Sequence, residues 1–295
     1  MNSDARPFVS VIVPVFNDQR GIDRCVEALT TQSYPKDRYE VIVVDNNSEP
    51  PIRLKSEAGF HTQLTWCGTA GSYSARNKGI DASRGEILAF TDADCIPVRE
   101  WIESGVAALS EGGGDCLIGG DIQLSAPESG SAAELYQYVS GFPQRANVNE
   151  RNFAATANVF SYRVHFDRVG LFNTQLLSGG DLEWCLRAAA QGIKLLFSEQ
   201  AIVVTSPRTS LSAAIRQARR VAGGRVQLRR SSQAVIPSDR TRPHKGPFSA
   251  AVWILKQKQL SVSERLRVLF VASLIKVAYM LEVLRLKLGG KPERR

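Results

Sequence analysis

The chain has 295 residues, 43% of them hydrophobic and 22% charged, with five cysteines. That composition excludes intrinsic disorder, a collagen-like fibre and a disulfide-stapled miniprotein, and the length suits one large α/β domain or two small ones. The formal charge of +8 conceals an asymmetry: residues 1–204 carry 17 Lys+Arg against 25 Asp+Glu, and the rest carry 20 against 4. An acidic body with a basic C-terminal third points to a tail that meets a polyanion, either nucleic acid or an anionic membrane surface. No two cysteines have Cys-x-x-Cys spacing, and residues 1–7 lack the basic-then-apolar order of a signal peptide. Free thiols and a cytoplasmic setting are therefore expected.

The first two-thirds alternates strand and helix patterns. Residues 9–16 form a continuous apolar, β-branched run that ends at a turn, Phe16-Asn17-Asp18. Residues 21–32 have helical spacing through Ile22, Cys25, Val26 and Leu29. A second buried-type strand covers 39–44 and breaks at Asp45-Asn46-Asn47-Ser48; a helix is predicted over 74–83 and a third strand over 86–90, running into Thr91-Asp92-Ala93-Asp94. Continuous apolar strands separated by helices predict a mostly parallel sheet flanked by helices, with ligands beyond the carboxyl ends of the strands. Further on, strands are expected over 116–124, 154–162 and within 195–204. Helices are expected over 132–139, 164–169 and 181–190, and a basic helix over 210–221 with Gly223-Gly224 ending it. Residues 231–248 mix Ser, Pro, Arg and Gly and read as a linker.

In the tail, Lys276, Glu282, Arg285 and Lys287 interrupt any apolar run of about 18 residues, which argues against a transmembrane helix. On a helical wheel, Phe270, Leu274, Val277, Met280, Leu281, Leu284 and Leu288 share one charge-free sector of about 120°. Such a helix either lies in a membrane interface with its basic side on anionic headgroups, or docks on the protein's own core.

Four carboxylate positions carry the chemistry. Asp92 and Asp94 follow a buried strand at i and i+2, where one can meet a ribose hydroxyl and the other a divalent cation that keeps phosphate and water as its remaining ligands. Asp45 can accept from a base or ribose, or close an Asx-turn. Arg76 precedes them on a helix and can meet a diphosphate or make a surface ion pair. Asp181 follows Gly179-Gly180. It is either a helix N-cap or a general base in a glycine-built pocket.

These residues lie in segments that resemble the family-2 glycosyltransferases of the GT-A fold. Residues 9–17 read VSVIVPVFN, 41–48 VIVVDNNS, 75–79 ARNKG, 85–94 GEILAFTDAD and 178–187 SGGDLEWCLR. Five segments in the family's order span about residues 8–225. The resemblance implies an α/β GT-A domain over residues 1–230, with a nucleotide-binding half (1–100) and an acceptor half (101–230). The linker and a basic amphipathic helical tail (249–295) follow. It implies that Pro14, Phe16, Asn17 and Asp45 cradle the nucleoside, that Arg76 approaches the base or diphosphate, and that Asp92 and Ala93 meet the ribose or sugar. Asp94 would hold Mn²⁺ or Mg²⁺, and Asp181 would deprotonate the acceptor. Gly179, Gly180, Glu183, Trp184 and Arg220 are expected on the acceptor side. The activity implied is inverting transfer from a UDP-, GDP- or dTDP-sugar to a hydroxyl of a lipid-linked or cell-envelope polysaccharide acceptor. The expected location is peripheral, on the inner face of the cell membrane, with no nucleic-acid partner.

Two departures stand out. Many relatives carry a metal-ligating His in a segment like Val-x-His-Pro-x-Arg; here it reads Val203-Val204-Thr205-Ser206-Pro207-Arg208. A hydroxyl is a poorer Mn²⁺ ligand than an imidazole, which leaves Asp94 and the diphosphate as the main donors. Processive relatives carry Gln-x-x-Arg-Trp; here it reads Gln217-Ala218-Arg219-Arg220-Val221, so one sugar per encounter is expected. The alternatives are a glycosyltransferase-like binding protein with impaired activity, and a nucleotidyltransferase, which would release pyrophosphate.

Overall fold

The computed structural model describes residues 6–54, 61–176, 178–231 and 249–290. Two compact units emerge. The first comprises residues 1–123, 143–175 and 180–205; the second comprises 124–142, 176–179 and 206–295.

The first unit holds an eight-stranded sheet. Its strands are β1 (Val9–Val15), β2 (Tyr39–Asp45), β3 (Thr62–Trp66), β4 (Ile87–Thr91), β5 (Cys95–Pro97), β6 (Cys116–Leu124), β7 (Asn158–Tyr162) and β8 (Lys194–Thr205), in the order β3-β2-β1-β4-β7-β6-β8-β5. Strands β1, β2 and β4 are buried along their whole length, as their continuous apolar sequences require when helices cover both faces. The β3-β2-β1-β4 half is parallel. Beyond β4 the sheet is mixed: β7 runs antiparallel to both β4 and β6, and β5 antiparallel to β8. From β1 the chain builds outward to β2 and β3, then returns to place β4 on the other side. This reversal is where open α/β sheets leave a ligand crevice.

The helices of this unit are α1 (Gln19–Thr30), α2 (Ser72–Ala82), α3 (Trp101–Gly112), α5 (Gln144–Arg151), α6 (Arg163–Val169) and α7 (Gly180–Ala190); α4 (Ala132–Ser140) belongs to the second unit. Helix α1 buries Ile22, Cys25, Val26 and Leu29, the stripe expected of it, and starts at Asp18, whose carboxylate accepts from Gly21 N at 2.8 Å. Helix α2 packs close to the sheet because position 79 is glycine: a Cβ there would meet Ile12 Cγ2 at 2.4 Å. Beneath α7, Trp184 stacks on Phe166 with centroids 4.4 Å apart, and Phe90 and Phe172 complete the aromatic core. All five cysteines are buried free thiols.

The second unit is helical: α4, α8 (Leu211–Ser231), α9 (Ser249–Leu255) and α10 (Val262–Lys287). Helix α8 runs straight through Gly223-Gly224, where the sequence suggested a stop. The physical reason is close packing: a Cβ at Gly224 would meet Ser178 O at 2.3 Å. Helices α9 and α10 of the tail therefore contribute to a second core. Leu135 of α4, Ile254 of α9, Leu260 just ahead of α10 and Val268 of α10 are buried together. Helix α10 begins with a capping box between Ser261 and Glu264. It buries Val268, Val271, Ala278, Glu282 and Leu286. The apolar sector seen on the wheel is not the docked one: Phe270, Val277, Met280, Leu281, Leu284 and Leu288 are between 51% and 80% exposed. Of residues 231–248, read as a linker, Ser231 closes α8 and 232–248 lie outside the described residues.

Candidate active site

The parallel register sets the carboxyl ends of β1 to β4 side by side. Val15 lies opposite Asp45, and Asp45 opposite Trp66. Pro14 is buried in β1 opposite Val44, while Phe16 and Asn17 emerge exposed past its end. Asn17 sits at φ 53° and tethers the neighbouring loop twice: its N–H donates to Ser48 Oγ at 2.9 Å, and its Oδ1 accepts from Glu49 N at 2.8 Å.

Asp45 is buried, and each of its oxygens accepts a main-chain N–H: Oδ1 from Ser48 at 2.9 Å and Oδ2 from Ile52 at 3.1 Å. It shapes the loop after β2 as an Asx-turn does. Asn46 performs a matching task on the other side, donating to Cys67 O and Thr69 O and accepting from Gly71 N at 2.7 Å, which sets the entry to α2. The sequence reading missed that role.

After β4, the Asp92–Asp94 loop turns back on itself, with Cys95 N donating to Asp92 O at 3.0 Å. Ala93 is buried beside the start of α1, where a Cβ at Gly21 would meet Ala93 O at 2.9 Å. Asp94 is exposed, and the Cys95 thiol lies 3.8 Å from its Oδ1. Thr205 pairs directly with Cys95, which puts the position where relatives carry His next to Asp94 along the sheet edge.

Arg76 is the buried cation of this site, with its side chain 4% exposed. Its guanidinium donates to Asp92 Oδ1 and lies 5.8 Å from the Tyr73 ring centroid. Its Nε has no hydrogen-bond partner. An orphaned N–H on a buried charge costs free energy, so the site is incomplete without an acceptor there. Tyr73, one turn earlier on α2, reaches the N-terminus of α7. Its hydroxyl accepts from Gly180 N at 2.8 Å and lies 3.4 Å from Asp181 Oδ1. Asp181 also accepts from Leu182 N at 3.0 Å. Burial raises the Asp181 carboxyl above its ordinary value, against the opposing pull of that N–H, of Arg76 and of Tyr73. One turn of α2 thus ties Asp92 to Asp181.

Glu183 and Trp184, expected on the acceptor side, are both engaged within the protein. Glu183 is ion-paired to Arg187, 2.7 Å from its Nε, and Arg187 donates onward to Val169 O and Leu171 O. Trp184 is 2% exposed and its indole N–H donates to Gly170 O at 2.7 Å, so it is a core residue rather than a surface for acceptor stacking. Asn77 grips the same loop through both Phe172 main-chain groups, at 2.8 and 3.0 Å. Gly180 is required by its neighbour: a Cβ would meet the Tyr73 ring at 2.7 Å. Gly179 and Arg220 fall in the second unit. There Gly179 adopts φ +81°, a conformation that favours glycine, and Arg220 is exposed on α8.

A largely parallel sheet with carboxylates beyond its strand ends, one beside a buried arginine, is the arrangement expected of a nucleotide-binding enzyme. Comparison with known proteins agrees. The family model for glycosyl transferase family 2 matches residues 10–163. Glycosyltransferase AglE of Haloferax volcanii is 37% identical over 254 residues, covering 84% of this chain and 80% of that protein. A dolichyl N-acetyl-α-D-glucosaminyl phosphate 3-β-D-2,3-diacetamido-2,3-dideoxy-β-D-glucuronosyltransferase of Methanococcus voltae is 23% identical, over 71% of this chain and 70% of its own. Among solved structures, the mannosyltransferase PcManGT of Pyrobaculum calidifontis, in complex with GDP-Man and Mn²⁺, superposes with a TM-score of 0.63 at 18% identity, over 96% of this chain and 87% of that one. The chain belongs to glycosyltransferase family 2 and is a transferase of the GT-A fold. Among the alternatives the sequence left open, this selects the glycosyltransferase.

Proposed function

We propose that this glycosyltransferase inverts the donor's anomeric centre while moving one sugar from a nucleotide-diphospho-sugar to a hydroxyl of a lipid-linked or cell-envelope saccharide. The observation that carries the reading is the tie through α2: Arg76 bonded to Asp92 on the donor side, and Tyr73 bonded to Asp181 on the other. Asp181 takes the proton of the acceptor hydroxyl. That oxygen forms its bond to the anomeric carbon as the bond to the diphosphate oxygen breaks, and the electron pair leaves on the diphosphate. The raised pKa of Asp181 suits a base that must bind a proton in the transition state.

Asp92 meets the ribose or sugar, and Arg76 Nε supplies a donor to the donor's anionic part. Phe16 and Asn17 border the nucleoside, with Asp45 shaping that wall. Asp94 fits a divalent cation: it is an exposed carboxylate on a loop with a second carboxylate two residues away. Among the described residues no group of three or more His, Cys, Asp or Glu could hold a metal. That donor set fits Mg²⁺ or Mn²⁺, which retain phosphate and water ligands, and does not fit a preformed protein cage. When bound, the cation neutralises charge on the leaving diphosphate.

The lipid-linked acceptor class is supported by the Methanococcus voltae relative, named for a dolichyl saccharide phosphate. It is supported again by the exposed apolar face of α10, with Arg267, Lys276 and Lys287 exposed on the same helix. No helix among the described residues is long and apolar enough to cross a membrane. This face lies instead in the headgroup region of an anionic leaflet, the inner face of the cell membrane being the site of action. The test is transfer of labelled sugar from UDP-, GDP- and dTDP-sugars into solvent-extractable lipid, with the product anomer read by NMR. Inverted product and nucleoside diphosphate support the proposal; a retained anomer or release of pyrophosphate refutes it.

A further inference from the structure

The first turn of α7 begins with N–H groups that have no partner inside the helix. Those of Gly180 and Asp181 point at one atom, the Tyr73 hydroxyl oxygen, at 2.8 and 3.4 Å. A phenol has one proton to give and an oxygen that accepts. With its oxygen already accepting two N–H groups, its proton is left for Asp181 Oδ1, 3.4 Å away. Burial pushes the Tyr73 phenol up, so that proton stays in place across the working pH range. The ring is itself fixed. It lies 5.9 Å from Phe172, and only a glycine at position 180 leaves it room. Asp181 Oδ1 is thus committed to Leu182 N and Tyr73, which leaves Oδ2 as the oxygen these two do not hold.

We propose that Tyr73 is the positioning residue of the catalytic base: its hydroxyl locks the Asp181 carboxylate at the head of α7 so that Oδ2 receives the acceptor's proton. This rests on the reading of Asp181 as the base. The charged and titratable groups around Asp181 are Arg76 and Tyr73 from α2, with Glu183 and Cys185 on its own helix. Arg76 is engaged with Asp92 and Glu183 with Arg187, which leaves Tyr73 as the direct hydrogen-bond donor from another element.

The test is Tyr73→Phe, which keeps the ring contacts and removes the hydroxyl. A bond to the ionised carboxylate favours ionisation, so its loss moves the acid limb of the kcat profile to higher pH. We expect kcat to fall about tenfold to a hundredfold while KM for the donor stays within about twofold, because misplacing a reacting group acts on kcat. A wild-type kcat, or a lower kcat with an unmoved acid limb, overturns the proposal. If Tyr73→Phe folds poorly, Gly180→Ala keeps the hydroxyl but drives a Cβ to 2.7 Å from the ring; it must show the same shift, and an unmoved limb overturns the proposal there too. Asp181→Asn separates the two readings. Full activity in Asp181→Asn removes the base assignment itself, whereas an inactive Asp181→Asn beside an unaffected Tyr73→Phe removes only the role of Tyr73.

Discussion

The double substitution Phe270→Asp and Leu281→Asp tests the membrane face of α10. Phe270 is 64% exposed and Leu281 58% exposed. Both side chains already stand mostly in water, so the folded unit loses little, within about 0.5 kcal/mol each for surface sites. Insertion into a headgroup region would bury that exposed fraction. Full burial of a Leu or Phe side chain is worth about 1.5–3 kcal/mol, so roughly 60% of it is about 1.3 kcal/mol per residue and about 2.7 kcal/mol for the pair. That is roughly a 100-fold loss of partitioning, before any cost of placing a carboxylate near an anionic leaflet. Co-sedimentation with vesicles containing anionic lipid, read beside a thermal melt, is the assay. The account expects the wild-type protein to pellet, and the variant to stay in solution at an unchanged Tm. Equal pelleting of both proteins refutes the membrane role, and a large fall in Tm shows that the face packs against protein.

Asp181→Asn should lower kcat by about 10²–10⁴ and also raise stability at neutral pH, a combination that a structural N-cap would not show. The sign follows from the raised folded-state pKa: the aspartate loses stability as pH climbs from the ordinary carboxyl value through the raised one, so the gain in Tm opens across that interval, is complete above it and closes in acid. Thr205→His places an imidazole opposite Cys95, beside Asp94; half-saturation by Mn²⁺ in a turnover assay should fall, and an unchanged value would mean that position 205 does not face the cation. Gly105→Ala puts a Cβ 2.3 Å from the Phe160 ring, which should cost about 1–3 kcal/mol in urea unfolding; an unmoved midpoint would show that the ring gives way freely.

Legibility in the sequence followed burial. Strands β1, β2 and β4 announced themselves because both faces are covered and every side chain is apolar or nearly so. Edge strand β3, with mostly exposed residues and two threonines, offered no such run, and β5 is three residues long. Helix α3 carried a readable stripe of Ile102, Val106 and Leu109 that the reading passed over. Gly223-Gly224 read as a stop because composition does not show which backbone comes close. Within the site, the positions of Asp92, Asp94, Arg76 and Asp181 were legible from motif order. Which of the polar groups hold loops was not. Asp45 and Asn46 are adjacent polar residues after the same strand, and each is taken up by main-chain groups. Tyr73 had one available signal, its place three residues before Arg76 on a common helix face.

In the proposed reaction, a cation at Asp94 and the donor's diphosphate bind together. Calorimetric titration with UDP, GDP, dTDP and CDP, each with Mn²⁺, with Mg²⁺ and with EDTA, tests it directly. The account predicts binding of one nucleotide diphosphate that requires the cation and disappears in Asp94→Ala. Binding that is equal in EDTA, or that survives Asp94→Ala unchanged, would contradict it.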